Sequence, residues 1–572
     1  MSEEQKSKGL SRRDFMKGTG AGIAAAAAAA GSGLINVKPA NAQEGPGVLN
    51  AELAAQQKWS FEIPPDPIPD SEIANTIEAD IIIVGAGVSG LTAANAAAEQ
   101  GASVVLFAAS SAPVFRGGSF HAVNSRYMKE NGIEPYDVDT VFRHELAANS
   151  FNVDQTKWWK AYAVSEESVD WLSDKMEAAG YQTVIEVGTQ DPPMGPMHTP
   201  YASHGWAMPD QLRDGLSAQA VVTRLAETAL EAGVTIHYDT IAKQLVREDD
   251  NTGRVTAIIA ETKDGTYTKY VGRKAIILAT GDFSTDKDMM AKYCPIGLPL
   301  LNDAGDQGYN NGFKTGGLYP GDGQKMGLWI GAAWQRTYPC APMLQGSFTA
   351  STEPYGAHRG LVVNLKGERF STEDVNGPFA AHAALHEPEM KTFAIFADNY
   401  AEAAAPWYPF GKIYGDDPVP PEQVRAGWES SVDYGQMVKG DTVEEVIEQL
   451  GLPVETTKAT IERYNSFCET GEDLDFHKQA KHLIPITEGP FYGAYLGTPQ
   501  FLTVLGGLRT NSDMQVCDAD DQPIPGLYNL GSMVGDMYAN MYTFRLQGVN
   551  LGLNCLTMGY KTGRDLGNGT LA

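Results

Sequence analysis

Cysteine is scarce in this 572-residue chain, and its five copies lie far apart. They form neither CxxC nor CxxCH, which argues against covalently attached haem, cysteine-ligated iron–sulfur clusters and cysteine-rich zinc sites. An odd and scattered set also does not build a disulfide framework. If the protein transfers electrons, a separate carrier therefore has to deliver them. The five are Cys294, Cys340, Cys468, Cys517 and Cys555.

Long apolar runs and basic residues are also in short supply. Beyond the N-terminal region, no segment has the roughly 18 uninterrupted apolar residues that a transmembrane helix needs. The 71 acidic residues outnumber the 43 basic ones, which gives a net charge of −28. Such an acidic chain is unsuited to binding nucleic acid or anionic lipid. Its charge either steers a basic redox partner or simply keeps the protein in solution.

The N-terminus has the features of an export signal. Arg12-Arg13 precedes a weakly hydrophobic run rich in Ala and Gly, and the small-x-small sequence Ala40-Asn41-Ala42 follows. This order predicts that residues 1–42 are a twin-arginine signal peptide and that the protein is exported to the periplasm or the outer face of the cell envelope. Residues 43–74, which include the proline-rich stretch 63–69, are predicted to be a linker or a surface strap.

The strongest motif lies between Asp80 and Gly118. A continuous apolar run at 81–84 is typical of a buried parallel strand, and GAGVSG connects it to an Ala-rich helix. In such a unit Gly85 permits the tight turn, Gly87 lets a pyrophosphate approach the backbone, and Gly90 lets helix and strand pack closely. The helix N-terminus attracts phosphate. The segment therefore predicts a dinucleotide site.

One residue expected of such a site is absent. The second strand, 103–107, normally ends in Asp or Glu, which binds the ribose hydroxyls. Here that position is Ala108, and Ser110 or Ser111 would have to offer a hydroxyl instead. We therefore expect the cofactor to bind less tightly than is usual for such sites.

Six further motifs follow a familiar order. They are RGGSF at 116–120, ATG at 279–281, GDGQKMG at 321–327, VNLKGERF at 363–370, GLYNLG at 526–531 and GVNLG at 548–552. Together with GxGxxG they resemble the fumarate reductase and succinate dehydrogenase flavoprotein superfamily, which includes urocanate reductases and 3-ketosteroid dehydrogenases. The resemblance covers residues 78–570.

This resemblance implies an α/β fold, in which a Rossmann-like FAD-binding domain carries an inserted α+β capping domain. The FAD-binding domain is expected at 75–338 and 504–572, and the capping domain at 339–503. FAD is expected without a covalent link. The residues expected to bind it are Gly85, Ala86, Gly87, Ser89, Gly90, Gly117, Gly118, Ser119, Ala242, Thr280, Gly281, Asp322, Gly507, Gly531, Asn550 and Leu551.

The resemblance also implies that most of a fumarate site is missing. Members that reduce fumarate hold its two carboxylates with His and Arg side chains, but Gly377, Thr503, and Cys340 or Ala341 stand at three of those four positions. The fourth position keeps Arg545, which can pair with a carboxylate or polarise a carbonyl. A compact dicarboxylate is therefore disfavoured.

Two tyrosines stand where the superfamily places residues over the flavin. A tyrosine hydroxyl can donate a proton across the neutral range, so Arg545, Tyr538 and Tyr542 are predicted to be the catalytic residues. His382 and His386 have i, i+4 spacing on a predicted helix, but no third ligand accompanies them and no metal site is predicted.

These residues predict an exported FAD-dependent reductase that transfers hydride from flavin N5 to the activated C=C bond of an aromatic or polycyclic enone or enoate. It would act as a terminal reductase of anaerobic respiration, fed by a separate donor such as a cytochrome or an FMN-carrying protein. Two alternatives stay open: a 3-ketosteroid-type dehydrogenase running in reverse, and a non-catalytic flavoprotein electron carrier. The capping-domain hairpin argues against the carrier, which has no use for a lid.

Overall fold

The computed structural model describes residues 59–135, 137–186, 202–210, 218–301, 309, 316–346, 360–403, 413 and 420–571. The predicted signal peptide, 1–42, and the first half of the predicted linker lie outside the described residues. Export therefore stays a prediction.

The regular elements are numbered here in chain order. The strands are β1 (Ile73–Val84), β2 (Val104–Phe107), β3 (Phe120–His121), β4 (Gln182–Ile185), β5 (Ser203–Ala207), β6 (Thr235–His237), β7 (Thr240–Arg247), β8 (Val255–Thr262), β9 (Tyr267–Leu278), β10 (Ala341–Gln345), β11 (Leu361–Asn364), β12 (Thr392–Ala397), β13 (Met437–Gly440), β14 (Phe491–Gly497), β15 (Gln500–Leu505), β16 (Gln515–Cys517) and β17 (Pro523–Asn529). The helices are α1 (Val88–Ala98), α2 (Arg126–Glu130), α3 (Val138–Ala148), α4 (Gln155–Glu177), α5 (Ala218–Glu231), α6 (Lys287–Tyr293), α7 (Asp322–Trp329), α8 (Gly377–Ala384), α9 (Tyr400–Ala403), α10 (Pro421–Asp433), α11 (Val443–Gln449), α12 (Val454–Thr470) and α13 (Met558–Gly567), the last preceded by a π-helical stretch, Asn550–Thr557.

The largest sheet has eight strands and is built around β1. Its path is β16–β17–β9–β1–β2–β6, and β8 and β7 extend it from β9 as an antiparallel meander. β1 pairs in parallel with β2 and β9, so that Ile82 lies opposite Val105 on one side and Ile276 on the other. Residues 81–84 are all buried, as a central parallel strand requires. The predicted parallel strand is confirmed, and it begins earlier, at Ile73.

Helix α1 is Ala-rich and buried on every side. All residues from Val88 to Ala97 are buried, because small side chains let α13 approach closely. A Cβ on Gly563 of α13 would lie 2.3 Å from the carbonyl oxygen of Ala93. This packing fixes the N-terminus of α1 next to the carboxyl end of β1, where the GxGxxG turn lies.

A separate four-stranded antiparallel sheet has the order β11–β12–β14–β13. Its residues alternate between two cores, as the period of two in a strand dictates. Phe396 of β12 packs with Trp428 of α10, while its neighbour Ile395 packs with Ile447 of α11 and Ile461 of α12. Helices thus cover both faces of this sheet. The fold class, an α/β flavoprotein fold with an α+β capping part, is confirmed, while the domain boundaries stay a prediction.

Two short strands stand apart from both large sheets. β10 and β15 pair antiparallel, and Met343 lies opposite Thr503. They belong to the two ends of the predicted capping segment, and both contribute to the cavity described below. A third, three-stranded sheet has the order β3–β5–β4.

The hairpin predicted at 363–370 is present and is anchored by buried charges. The Arg369 guanidinium donates two hydrogen bonds to Glu373, both 2.8 Å, and two to Asp473, at 3.0 and 2.8 Å. Burial alone would raise the pKa of Asp473, but Arg369 and backbone N–H donors hold it at about 2. Buried Lys478 completes the network, with its ammonium 3.3 Å from Glu373. Glu373 thus has a structural role.

The described part of the predicted linker is docked on the FAD-binding part as a strap. Phe61 is buried, and its carbonyl oxygen accepts a 2.8 Å hydrogen bond from the Trp329 indole. The Ile68 amide donates to Gln244 at 3.0 Å. In the described part of the chain, no helix combines the length and apolarity needed to cross a membrane. All five cysteines are free thiols.

Candidate functional site

A cavity of about 570 Å³ lies at the carboxyl ends of β1, β2 and β9. Open parallel sheets bind their ligands at this edge. The cavity continues past the sheet to β10 and β15, where Met343, Leu502 and Thr503 line it, and to the segment after residue 542. It therefore joins the predicted phosphate-binding turn to residues of the predicted capping segment.

The GxGxxG turn forms one wall of this cavity. Gly85 has a φ of 116°, and a Cβ there would lie 2.2 Å from the carbonyl oxygen of Ala279. A Cβ on Gly90 would lie 2.0 Å from the carbonyl oxygen of Gly85, so the helix can approach the turn because this residue has no side chain. Gly87 is different, since the nearest atom to its Cβ position is 3.9 Å away. The backbone at Gly87 thus faces open space at the N-terminus of α1, as pyrophosphate binding requires.

The structure brings most of the predicted cofactor residues together. All of them line the cavity except Gly90, Gly507 and Gly531. These three lie against other atoms instead: a Cβ on Gly507 would be 2.5 Å from the Met533 carbonyl oxygen, and one on Gly531 would be 2.7 Å from Ser89 Oγ. Their contribution is to let neighbouring segments pack closely around the cavity. The individual binding roles stay predictions.

The predicted ribose end lacks an acidic side chain at the usual position. Ala108 lines the cavity there, as does Ser110. The Ser110 hydroxyl donates to the Ala112 carbonyl at 2.7 Å, and the Ser111 hydroxyl donates to Asp239 at 2.6 Å. Both hydroxyl protons are therefore already engaged, that of Ser110 within its own loop and that of Ser111 with Asp239 after β6. Ser110 can still accept a hydrogen bond, but it does not replace a carboxylate.

Asp322 enters the cavity wall at the start of α7. The helix is preceded by Gly321 in the left-handed conformation, which turns the chain into the cavity. One Asp322 carboxylate oxygen accepts a 2.7 Å hydrogen bond from the Tyr309 hydroxyl. Burial raises the pKa of Asp322, and the bond from Tyr309 and the charge of Lys325 partly offset this. The carboxylate can accept hydrogen bonds from cofactor hydroxyls.

A second buried carboxylate in the wall, Asp282, was missed by the sequence reasoning. It follows Thr280-Gly281, and one of its oxygens accepts hydrogen bonds from Ser284 Oγ at 2.9 Å and from the Ser284 and Tyr319 amides, both at 3.2 Å. The other oxygen accepts a hydrogen bond from the Thr503 hydroxyl. Burial raises the pKa of Asp282, opposed by these donors and by the positive charge of Arg116. Arg116 also lines the cavity.

Glu186 is a third buried acid in the cavity wall that sequence reasoning missed. It follows β4, and its carboxylate accepts a 2.6 Å hydrogen bond from the Ser203 hydroxyl. Burial raises the pKa of Glu186, and hydrogen bonds from Ser203 and Ser119 partly offset the rise. The signal that could have revealed it is a lone acid ending an apolar strand.

The two predicted catalytic tyrosines occupy different environments. Tyr542 lines the cavity, and its phenolic oxygen accepts a 3.2 Å hydrogen bond from the backbone amide of Asn550. Tyr538 does not line the cavity; it packs edge-on between Trp158 and Tyr542. Its hydroxyl has no hydrogen-bond partner among the described residues. Burial raises the pKa of both tyrosines, and their catalytic roles stay predictions.

Arg545 lies behind this wall. Its guanidinium carbon is 5.3 Å from the centre of the Phe379 ring on α8, while its neighbour Phe544 lines the cavity. Burial lowers the pKa of Arg545, and the nearby Glu145 carboxylate opposes that change. Glu145, also missed by sequence reasoning, accepts a 2.6 Å hydrogen bond from Thr543, and burial raises its pKa to about 6.

The remaining predicted substrate positions carry no clamp. Gly377 begins α8 and has no side chain to offer, while Cys340 and Ala341 are buried apolar residues. His382 does not line the cavity, and burial lowers its pKa to about 4. Within the described ranges, no group of three His, Cys, Asp or Glu side chains could hold a metal ion.

Comparison with known proteins agrees with a flavin in this cavity. The model of a family described as FAD binding domain matches residues 80–551. Vinyl phenol reductase of Lactiplantibacillus plantarum is 26% identical over 512 residues, which covers 85% of this chain and 95% of that protein. Urocanate reductase of Eggerthella lenta is 25% identical over 507 residues, covering 86% and 75%.

Solved structures show the same fold. The 3-ketosteroid-delta4-(5alpha)-dehydrogenase from Rhodococcus jostii superposes with a TM-score of 0.66 at 23% identity, covering 88% of this chain and 99% of that one. The open GxGxxG turn, the α1 N-terminus and the glycine-lined walls fit FAD, which is the cofactor of this protein.

Proposed function

Because the chain belongs to the FAD binding domain family, we propose that it is an exported FAD-dependent reductase that saturates the activated C=C bond of an aromatic or polycyclic enone or enoate. It is an oxidoreductase of the class that acts on C=C bonds. Two relatives are named for reducing vinyl phenol and urocanate, and both compounds carry a C=C bond on an aromatic ring. The aromatic substrate, the separate electron donor and the exported location are proposed together with this reaction.

The observation that carries the proposal is the continuity of the cavity. The phosphate-binding turn at Gly87 and the side chain of Tyr542 belong to the wall of the same cavity, so a flavin and an alkene can meet there. The wall near Tyr542 is apolar and aromatic, with Met343, Leu502 and Phe544. Such a wall suits a flat, conjugated substrate and excludes water from the reacting atoms.

The chain's own contribution to the reaction is positioning and a proton. Bound FAD would supply hydride chemistry at N5. The Asn550 amide donates to the phenolic oxygen of Tyr542, so that the phenolic proton is directed towards a different acceptor. Since burial raises the pKa of Tyr542, its hydroxyl stays protonated at neutral pH and can protonate the alkene carbon that does not receive hydride. Arg545 supplies positive charge behind Phe544, which favours substrates whose activating oxygen becomes negative.

Fumarate is a poor fit for the same cavity. At two of the positions where relatives hold carboxylates, Gly377 has no side chain and the Thr503 hydroxyl donates to Asp282. A dicarboxylate would then be desolvated without cationic partners at those points, which costs several kcal/mol. We therefore expect negligible fumarate reduction.

The electron donor is proposed to be a separate carrier protein. The scattered cysteines are all free and do not form the Cys-rich motifs that hold haem or iron–sulfur groups. The acidic net charge of −28 would attract a basic carrier in the first encounter. We propose that the twin-arginine signal exports the protein and that the carrier delivers its electrons there.

The decisive experiment follows the flavin directly. The purified holoenzyme is reduced anaerobically and mixed with aryl enones, aryl enoates, a saturated analogue and fumarate, while flavin absorbance reports reoxidation. The proposal expects fast reoxidation by the aryl alkenes, none by the saturated analogue and negligible reoxidation by fumarate. Oxidised holoenzyme is mixed with the saturated analogue in a parallel sample. If that sample becomes reduced while no alkene reoxidises the reduced enzyme, the dehydrogenase direction is established instead.

A further inference from the structure

We propose that the Asp282–Thr503 part of the cavity wall selects substrates that carry a neutral hydrogen-bond donor, in particular a phenolic hydroxyl. The inference deepens the proposed function and rests on it. It concerns which alkenes are accepted, rather than whether alkenes are reduced.

The direction of the Thr503 hydrogen bond decides what this residue offers to a ligand. Thr503 lines the cavity from β15, and its hydroxyl donates to Asp282 across 221 residues of sequence. Because its single proton is committed to the carboxylate, the hydroxyl offers the cavity lone pairs alone. The related fumarate reductases carry a cationic donor at this position. In this chain the same position therefore offers a hydrogen-bond acceptor.

Asp282 keeps the capacity to accept a further hydrogen bond. One carboxylate oxygen accepts three hydrogen bonds, from Ser284 Oγ, the Ser284 amide and the Tyr319 amide. The other oxygen accepts the bond from Thr503, and a carboxylate oxygen can accept a second one. Asp282 is held rigidly by these contacts and is 1% exposed. Asp282 and Thr503 both line the cavity, so the Thr503 oxygen, backed by the Asp282 carboxylate, is the acceptor pair that this wall offers to a ligand.

The charge of Asp282 discriminates between neutral and anionic substrates. A substrate carboxylate placed here would lie beside the buried Asp282 carboxylate, and like charges in a desolvated site repel strongly. The positive charge of Arg116 offsets only part of this negative charge, since burial still raises the pKa of Asp282. A neutral donor, by contrast, satisfies the acceptors and leaves the local charge unchanged.

Apolar side chains beside Thr503 restrict the shape of the group that can carry the donor. Leu502 precedes Thr503 on β15, and Met343 on β10 lies opposite Thr503. Leu502 and Met343 line the cavity together with Phe544. These side chains surround the approach to the acceptor pair with apolar surface. A hydroxyl carried on an aromatic ring matches this arrangement, because the ring packs against Leu502, Met343 and Phe544 while the hydroxyl reaches Asp282.

The test uses matched aryl enones that differ at the ring position opposite the alkene. The probes are 4-phenyl-3-buten-2-one and its para-hydroxy, para-methoxy and para-carboxylate derivatives, each mixed with the anaerobically reduced holoenzyme. Hydroxyl and methoxyl groups affect the alkene similarly, but the methoxyl group cannot donate. The hydroxyl compound should reoxidise the flavin with a kcat/KM about 10- to 100-fold above that of the methoxyl compound, as expected for a hydrogen bond to a charged acceptor.

Two variants and one control assign the effect to the acceptor pair. Thr503→Val keeps the side-chain shape and removes the hydroxyl, and Asp282→Asn removes the charge; each should reduce the hydroxyl-to-methoxyl ratio several-fold or more. Thr228→Val is the control, because Thr228 is a buried threonine on α5 whose hydroxyl bonds to its own helix and which does not line the cavity. It should keep the wild-type ratio.

The outcomes are separable. Equal rates for the hydroxyl and methoxyl compounds, or a faster carboxylate compound, would overturn this inference and leave the proposed function standing. Loss of FAD from both Thr503→Val and Asp282→Asn would also overturn it, since the pair would then serve the cofactor. If none of the four compounds reoxidises the flavin, the proposed function itself fails.

Discussion

Replacing Tyr542 by Phe tests the proposed proton donor most specifically. The substitution removes one oxygen from a ring that otherwise keeps its place, packed edge-on against Phe544 with ring centres 4.6 Å apart. If Tyr542 protonates the substrate, alkene reduction should slow by about 10²- to 10⁴-fold, the usual contribution of a positioned proton donor.

The structural cost of the same change can be estimated separately. The Asn550 amide would lose its 3.2 Å acceptor in a buried setting, which costs about 1–3 kcal/mol. That loss lowers the unfolding free energy, but it does not by itself empty the cofactor cavity. Flavin content measured by absorbance should therefore stay close to that of the wild type.

Tyr538→Phe is the matched control, since both tyrosines are fully buried and stand four residues apart. The Tyr538 hydroxyl has no partner among the described residues and lies away from the cavity. Its removal should leave the reoxidation rate near the wild-type value and should not lower stability, because no hydrogen bond is broken. A Tyr542→Phe variant with full flavin content and full rate, or a large loss in Tyr538→Phe alone, would refute the assignment.

Three further predictions concern the cofactor turn, a buried acid and the capping hairpin. Gly90→Ala places a Cβ 2.0 Å from the Gly85 carbonyl oxygen and should lower FAD content, measured by absorbance after gel filtration. The control is Gly427→Ala on α10, where no atom lies within 4 Å of the Cβ position. It should keep FAD and raise the unfolding free energy by about 0.5–1 kcal/mol. Burial raises the pKa of Glu145 from 4.5 to about 6, so the contribution of Glu145 to the unfolding free energy should fall by roughly 2 kcal/mol as the pH rises through this interval. In urea titrations at pH 4.5 and 7.5, Glu145→Gln should lose that part of the wild-type pH dependence, and an unchanged pH dependence would contradict it. Arg369→Met leaves Glu373 and Asp473 buried without their main cation. The variant should be about 3–5 kcal/mol less stable than the wild type in denaturant unfolding. A variant as stable as the wild type would show that the network contributes little.

The parts of the fold that sequence predicted are those set by local patterns. The strand at 81–84 and the following helix depend on an apolar run and glycines that are neighbours in sequence, so they could be predicted. The segment around 194–208 is rich in Pro, Gly and His and predicts a loop, yet Ser203–Ala207 form a buried strand because pairing with β3 and β4 overrides local propensity.

The parts of the site that sequence missed depend on distant contacts. Asp282 bonds to Thr503 across 221 residues, and Glu145 accepts from Thr543 across 398. Such a pair has no spacing rule, so neither partner can be recognised before the fold brings them together. The difference between Tyr538 and Tyr542 also arises from tertiary packing, since both fit the same local pattern.

The central claim is that this cavity transfers hydride from FAD to an aromatic alkene, and a single-turnover product assay tests it most directly. Anaerobically reduced holoenzyme is mixed with excess para-hydroxy aryl enone, quenched, and assayed for the saturated product and for oxidised flavin. The account predicts one equivalent of saturated product for each flavin reoxidised. Flavin reoxidation without saturated product, or a reduced flavin that persists in the presence of the alkene, would contradict it.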